Sequence, residues 1–225
     1  MFSETANGAS WRDRALERSL EAARARSVER LERLVDAARV LANETGRAAF
    51  TVTQVTAQAG LSLKSFYRCF AGKDDLLVAL IEEDSRLGAA LLGEMMEQHA
   101  DPVARVRAYV MGVFEMLTHP GAIGYAGVLV REHRRLSEER PDELRRALAP
   151  MIAGLEAEIA AAAAAGSCGS RDAARDAELV FALVLEGIHD VALGRAEPLE
   201  QATHLWSFCW AGLSRTSATT GDEQR

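Results

Sequence analysis

The stretch SLKSFYRCFAGKDD, Ser62 to Asp75, holds both lysines of the chain, Lys64 and Lys73, with Tyr67 and Arg68 between them. Every other basic residue is Arg. Cations interleaved with an aromatic hydroxyl suit a nucleic-acid backbone, which is held by charged and neutral donors to phosphate oxygens. On a short helix opening at Ser62, the residues Ser62, Leu63, Lys64 and Ser65 come first and are expected at base edges. There Lys64 donates to guanine acceptors and Leu63 meets a thymine methyl. Tyr67 and Arg68 lie further along and reach phosphate. Lys73 opens the next helix, where its ammonium and the free backbone N–H groups can hold a phosphate together. Thr51, eleven residues before Ser62, is placed to do the same from the other side.

These residues need a frame. Ser27 to Thr45 reads as a helix with one apolar face, Val28, Leu31, Leu34, Val35, Ala38 and Leu41, stopped by Gly46. Thr51 is a candidate N-cap for a helix of about two turns, with Val55 and Ala59 inward and Gly60 as its end. Ser62 caps a second short helix, Leu63 to Phe70, anchored from behind by Phe66 and Phe70. Gly72 follows, and Asp74 and Asp75 sit in the first turn of a long helix, where carboxylates complement the dipole. Two short helices around a glycine turn have the layout of a helix-turn-helix. Neither is stable alone, so both must pack on the helix from Ser27.

The bulk composition agrees with a helical protein of 225 residues: 48% of residues are apolar and only 6% aromatic. The fold expected is all-α, with about nine helices. After the helix-turn-helix they fall near 73–98, 102–118, 121–136, 141–165, 171–193 and 198–215. Net charge is −7 but unevenly spread. Residues 1–80 carry 12 basic against 10 acidic side chains, and residues 81–225 carry 14 against 23. An acidic body repels phosphate and leaves one end for DNA. Residues 10–25 are expected to be helical with Arg12, Arg14, Arg18 and Arg24 exposed, either as a solvated extension or as a basic arm along the duplex. Three cysteines, Cys69, Cys168 and Cys209, without motif spacing suit a reducing cytoplasm. No signal peptide or run approaching a membrane span is expected.

The segment TVTQVTAQAGLSLKSFYRCFAGKDDLL resembles the DNA-binding segment of the tetracycline-repressor (TetR) family. The matching residues are Thr51, Val55, Ala59-Gly60-Leu61-Ser62, Tyr67-Arg68-Cys69-Phe70, Lys73-Asp74 and Leu76. Thr56 stands where the family usually has Ala, Cys69 where it often has His or Tyr, and Gly72 where a Ser cap is common. The resemblance implies a homodimeric transcriptional regulator, usually a repressor, that binds a palindromic operator in double-stranded DNA and is released by a small molecule. It divides the chain into an extension (1–25), a helix-turn-helix domain (26–72), a ligand-binding and dimerisation domain (73–216) and a disordered tail (217–225). It implies dimerisation through the last two helices. The apolar run LVFALVLEGI and the pair Trp206 and Trp210 support that independently, with Leu179 and Leu183 on the same interface. Candidate pocket residues are Met111, Phe114, Leu117, Tyr125, Leu129, His133, Met151, Leu155, Phe181 and Val184, with His119 and His189 as further polar candidates. Their character suits an apolar effector: acyl, steroid or aromatic.

Other chemistries are weaker in the sequence. Glu186 and His189 form a single E-x-x-H, whereas a di-iron carboxylate bundle needs two of them and two further Glu residues. No catalytic residues, metal or cofactor are expected. Control by a partner protein, or by oxidation at Cys168 in GSCGS, remains the alternative to a small-molecule effector.

Overall fold

The computed structural model describes residues 10–214. The tail expected at 217–225 and most of the extension's first residues lie outside them. The described residues form nine helices: α1 (Trp11–Thr45), α2 (Val52–Ala59), α3 (Leu63–Cys69), α4 (Lys73–Glu97), α5 (Pro102–Met116), α6 (Ala122–Glu139), α7 (Pro141–Ala164), α8 (Ala173–Ala192) and α9 (Pro198–Leu213).

Helix α1 joins two segments that the sequence divides at about residue 26. No Gly or Pro interrupts Trp11 to Thr45, so nothing ends the helix between them. Its start is fixed by a capping box: Ser10 Oγ accepts from Arg12 N, and Asp13 Oδ2 accepts from Ser10 N at 3.0 Å. Only the second half packs, through Leu34, Val35, Ala37, Ala38 and Ala42. Val28, expected on the buried face, is exposed. Helix α6 runs three residues past its expected end and stops at Arg140, which immediately precedes Pro141 at the start of α7. Pro150 lies inside α7 without ending it.

Two apolar clusters make the core. The first joins α1, α2, α3 and the start of α4 to Val128 and Leu136 of α6 and to Leu144 and Ala147 of α7. The second joins the end of α4 to α5, α7, α8 and α9 around Phe114, Leu155 and Val184. Helix α7 corrects the expectation about membrane spans: it is long and apolar enough to cross a bilayer by length and composition. Its alanine run supplies that hydropathy, and the helix packs on α4, α5 and α8 through Leu144, Ala147, Leu155, Ile159 and Ala162.

Candidate nucleic-acid interface and the cavity behind it

The two short helices are held by local bonds that the sequence announces. Thr51 Oγ1 accepts from Gln54 N at 3.2 Å, and Gln54 Oε1 accepts from Thr51 N at 2.8 Å. Gly60 takes a left-handed conformation, φ +62°, and Leu61 N donates back to Thr56 O at 2.8 Å. Arg33 of α1 donates to Ala59 O at 2.6 Å and locks the same turn. Ser62 Oγ accepts from Ser65 N at 3.1 Å and begins α3. Phe66 is fully buried, and Phe70 packs beside it at 5.6 Å between ring centroids. These anchors turn the opposite side of α3 outward. Leu63, Lys64, Tyr67 and Arg68 are exposed there, with Ser62 beside them and Ser65 half-buried. Tyr67 stands edge-on against Phe66 with its hydroxyl in solvent.

Two residues of this region have jobs inside the protein as well. Thr51 is exposed, but its hydroxyl serves as the α2 cap. Lys73 Nζ donates to Ala48 O and lies 4.9 Å from the centre of the Phe50 ring, so it ties the start of α4 to the loop before α2. Gly72 is extended, a conformation open to any residue, and makes no side-chain cap. In place of a cap, Asp75 Oδ2 accepts from Ala71 N at 2.7 Å. Thr56, the departure from the family pattern, is buried and satisfies its hydroxyl on Thr53 O at 3.0 Å.

The interface is clamped to α6. Arg131 donates to Gly46 O at 2.6 Å, capping the end of α1. Arg135 bonds Asp74 at 2.6 Å while Glu132 and Glu139 hold it from its own helix. Its hydrogen bond keeps the Asp74 carboxyl below the usual range. Arg140 reaches Asp75 and Glu143.

The other face of α6 borders a cavity of about 140 Å³ where the two apolar clusters meet. It is lined by Ile81, Asp84 and Ser85 of α4, Val113 of α5, Ala126, Leu129, Val130 and His133 of α6, Leu148 and Met151 of α7, and Phe181, Val184, Leu185 and Ile188 of α8. Of the expected pocket residues, Leu129, His133, Met151, Phe181 and Val184 are here. Phe114, Leu117 and Leu155 are instead closed into the core. Met111 faces a separate groove with Met95 and His99. Tyr125 turns its hydroxyl to Asp84. Burial, with Arg134 beside it, lowers the His133 pKa and favours the neutral ring. Sequence reading missed Asp84 and Ser85. The available signal was a serine on the apolar stripe of α4, four residues after Ile81 and seven before Leu92.

The remaining candidates are dispersed. His119 is exposed, with Nδ1 against Met116 O at 3.2 Å. Glu186 pairs with Arg134, and His189 Nδ1 is buried without a hydrogen-bond partner. Among the described residues no three His, Cys, Asp or Glu converge. Cys168 is half-buried near Ile159 O, and burial pushes the Cys209 thiol up to about 11. Trp206 and Trp210 stack at 5.4 Å and are half-buried against the second cluster. The barer apolar surface of the last two helices is Phe208, 66% exposed, with Leu179 at 52% and Leu183 at 38%; these three line a groove between α8 and α9.

The fold recurs in solved structures. The transcriptional regulator FadR from Bacillus subtilis, in complex with stearoyl-CoA, superposes with a TM-score of 0.68 at 18% identity, over 81% of this chain and 98% of that one. A TetR transcription regulator from Haloarcula marismortui gives 0.66 at 19%, over 84% and 100%. RolR in complex with resorcinol gives 0.60 at 16%, over 84% and 89%. No curated protein matches the chain significantly. Residues 34–80, from the packed half of α1 to the start of α4, match the profile of the bacterial regulatory proteins of the tetR family.

Proposed function

We propose that the protein is a homodimeric cytoplasmic repressor that grips a palindromic operator with α3 and leaves it when a small apolar effector fills the cavity bordered by α4 to α8. The observation that carries this is the double engagement of α6. Leu129, Val130 and His133 border the cavity, while Arg131 and Arg135 hold Gly46 at the end of α1 and Asp74 at the start of α4. Relatives of the same fold bind stearoyl-CoA and resorcinol, which supports an effector of this kind.

In this reading Lys64 and Leu63 meet bases, Tyr67 and Arg68 meet phosphates, and Thr51 and Lys73 fix the flanks. The groove of Leu179, Leu183 and Phe208 joins two copies. Their reading helices must then sit one turn of DNA apart, about 34–36 Å. An effector that favours another α6 position draws the population away from that spacing. Moving it from 99:1 to 1:99 needs about 5.5 kcal/mol of differential affinity.

Fluorescence anisotropy on the protein's own upstream DNA and on a scrambled duplex, near about 150 mM salt, tests the reading. A preference of about a thousandfold or more is expected of a specific operator. Equal binding to both duplexes would count against this operator, and no binding even at low salt would end the reading.

A further inference from the structure

Ser85 Oγ is the telling atom of the cavity. The residue lines the cavity and is 5% exposed, and its hydroxyl is buried without a hydrogen-bond partner. A buried polar atom without a partner is costly, and natural proteins pair almost all of them. The neighbouring carboxylate does not satisfy it: Asp84 Oδ1 takes Arg39, and Oδ2 takes Tyr125. The remaining wall is apolar except for His133, whose lowered pKa favours its neutral form.

Size and charge narrow the occupant further. A dry cavity of about 150 Å³ holds benzene, and this one is about 140 Å³. In the conformation seen its volume suits one ring. The lining residues include no Lys or Arg, and the single acidic one, Asp84, is committed to Arg39. A carboxylate brought here would be desolvated without a cation.

We propose that the cavity binds an uncharged, single-ring aromatic compound carrying one hydroxyl, which pairs with Ser85 while the ring packs among Leu129, Val184 and Phe181. The inference rests on the effector reading of this cavity. It explains why α4 places a serine on its core stripe. It also gives α4 a direct contact with the ligand beside the Asp84 link to α1.

Titration calorimetry of the full-length protein with phenol, toluene and benzoate tests this. Phenol is expected to bind about tenfold more tightly than toluene, the span of one net hydrogen bond, and benzoate at least as much more weakly than phenol. Ser85→Ala is expected to bring phenol down to the level of toluene and leave toluene unchanged. Val184→Trp, which fills the cavity, should abolish binding of both. Toluene equal to phenol in the unmodified protein, a preference unchanged by Ser85→Ala, benzoate as the strongest ligand, or no binding of any probe would each overturn the inference. Anisotropy on operator DNA separates the two readings. Phenol that binds through Ser85 but leaves DNA affinity unchanged keeps the ligand class and removes the release mechanism.

Discussion

Asp84 on α4 and Arg39 on α1 meet at the seam between the DNA-binding domain and the cavity, with Arg39 Nε donating to Asp84 Oδ1 at 3.1 Å. Arg39 Nη2 also lies 3.0 Å from that oxygen but is too poorly aligned to bond. Tyr125 of α6 donates to the other oxygen. Three helices thus converge on one carboxylate. Burial pushes the Asp84 carboxyl up from its ordinary value, and burial together with Asp84's charge raises the Tyr125 hydroxyl as well. Burial works against the Arg39 charge, and Asp84 outweighs it, so its pKa lies above the ordinary value.

Asp84→Ala therefore leaves the Tyr125 hydroxyl without its acceptor and Arg39 with only Asp36 of its own helix as a partner. A fully buried pair broken this way loses about 3–5 kcal/mol. Arg39 keeps 28% of its side chain exposed, so about 2–3 kcal/mol is expected here. Urea unfolding measures it. The double variant Arg39→Met with Asp84→Leu should recover part of the loss, and no recovery would mean the two residues do not act as a pair.

On DNA, Lys64→Ala should relax base choice at one position per half-site by about 1–3 kcal/mol and leave stability unchanged, because Lys64 is exposed. Lys73→Ala should weaken all sequences alike and flatten the salt dependence. It should also lower stability by about 1 kcal/mol through the lost Ala48 bond and Phe50 contact. Binding to a set of singly altered operators at two salt concentrations separates the two roles. Uniform loss in both variants would move Lys64 away from the bases.

Phe208→Glu places a charge in the groove with Leu179 and Leu183. If that groove joins two copies, dimerisation should weaken by about thirtyfold or more, the loss of one hot-spot residue. Sedimentation of the variant at micromolar concentration should show monomer. An unchanged dimer would place the interface elsewhere.

The folded-state pKa of His133 lies below the ordinary value of 6.5. As pH falls through 6.5, the unfolded chain takes up a proton before the folded protein does. Stability is therefore lost between that value and the lower folded one. Asp84 acts with the opposite sign nearer its ordinary value of 3.8: its raised pKa makes the folded state hold a proton that the unfolded chain releases. His133→Gln should flatten the decline in stability from about pH 7 to about pH 5, read as urea midpoints. A decline as steep as in the unaltered protein would assign it to other groups.

The sequence by itself determined α2, α3 and the turn between them. Thr51, Gly60 and Ser62 act within four residues of their own backbone, and Phe66 and Phe70 need only one apolar face to meet. Such local chemistry is written in spacing, as are the helix starts at Pro102, Pro141 and Pro198. What only the tertiary structure decided depends on which faces of distant helices meet. Phe114 and Leu155 share the character of Leu129 and Val184, yet the former pair closes the core and the latter borders the cavity. Trp206 and Trp210 half-bury on their own chain and leave Phe208 bare. Lys73 turns back to Phe50, and Ser85 is left without a partner among apolar side chains. Helical periodicity fixes which residues share a face. The crossing of α4, α6, α7 and α8 fixes what that face meets, and no local spacing encodes it.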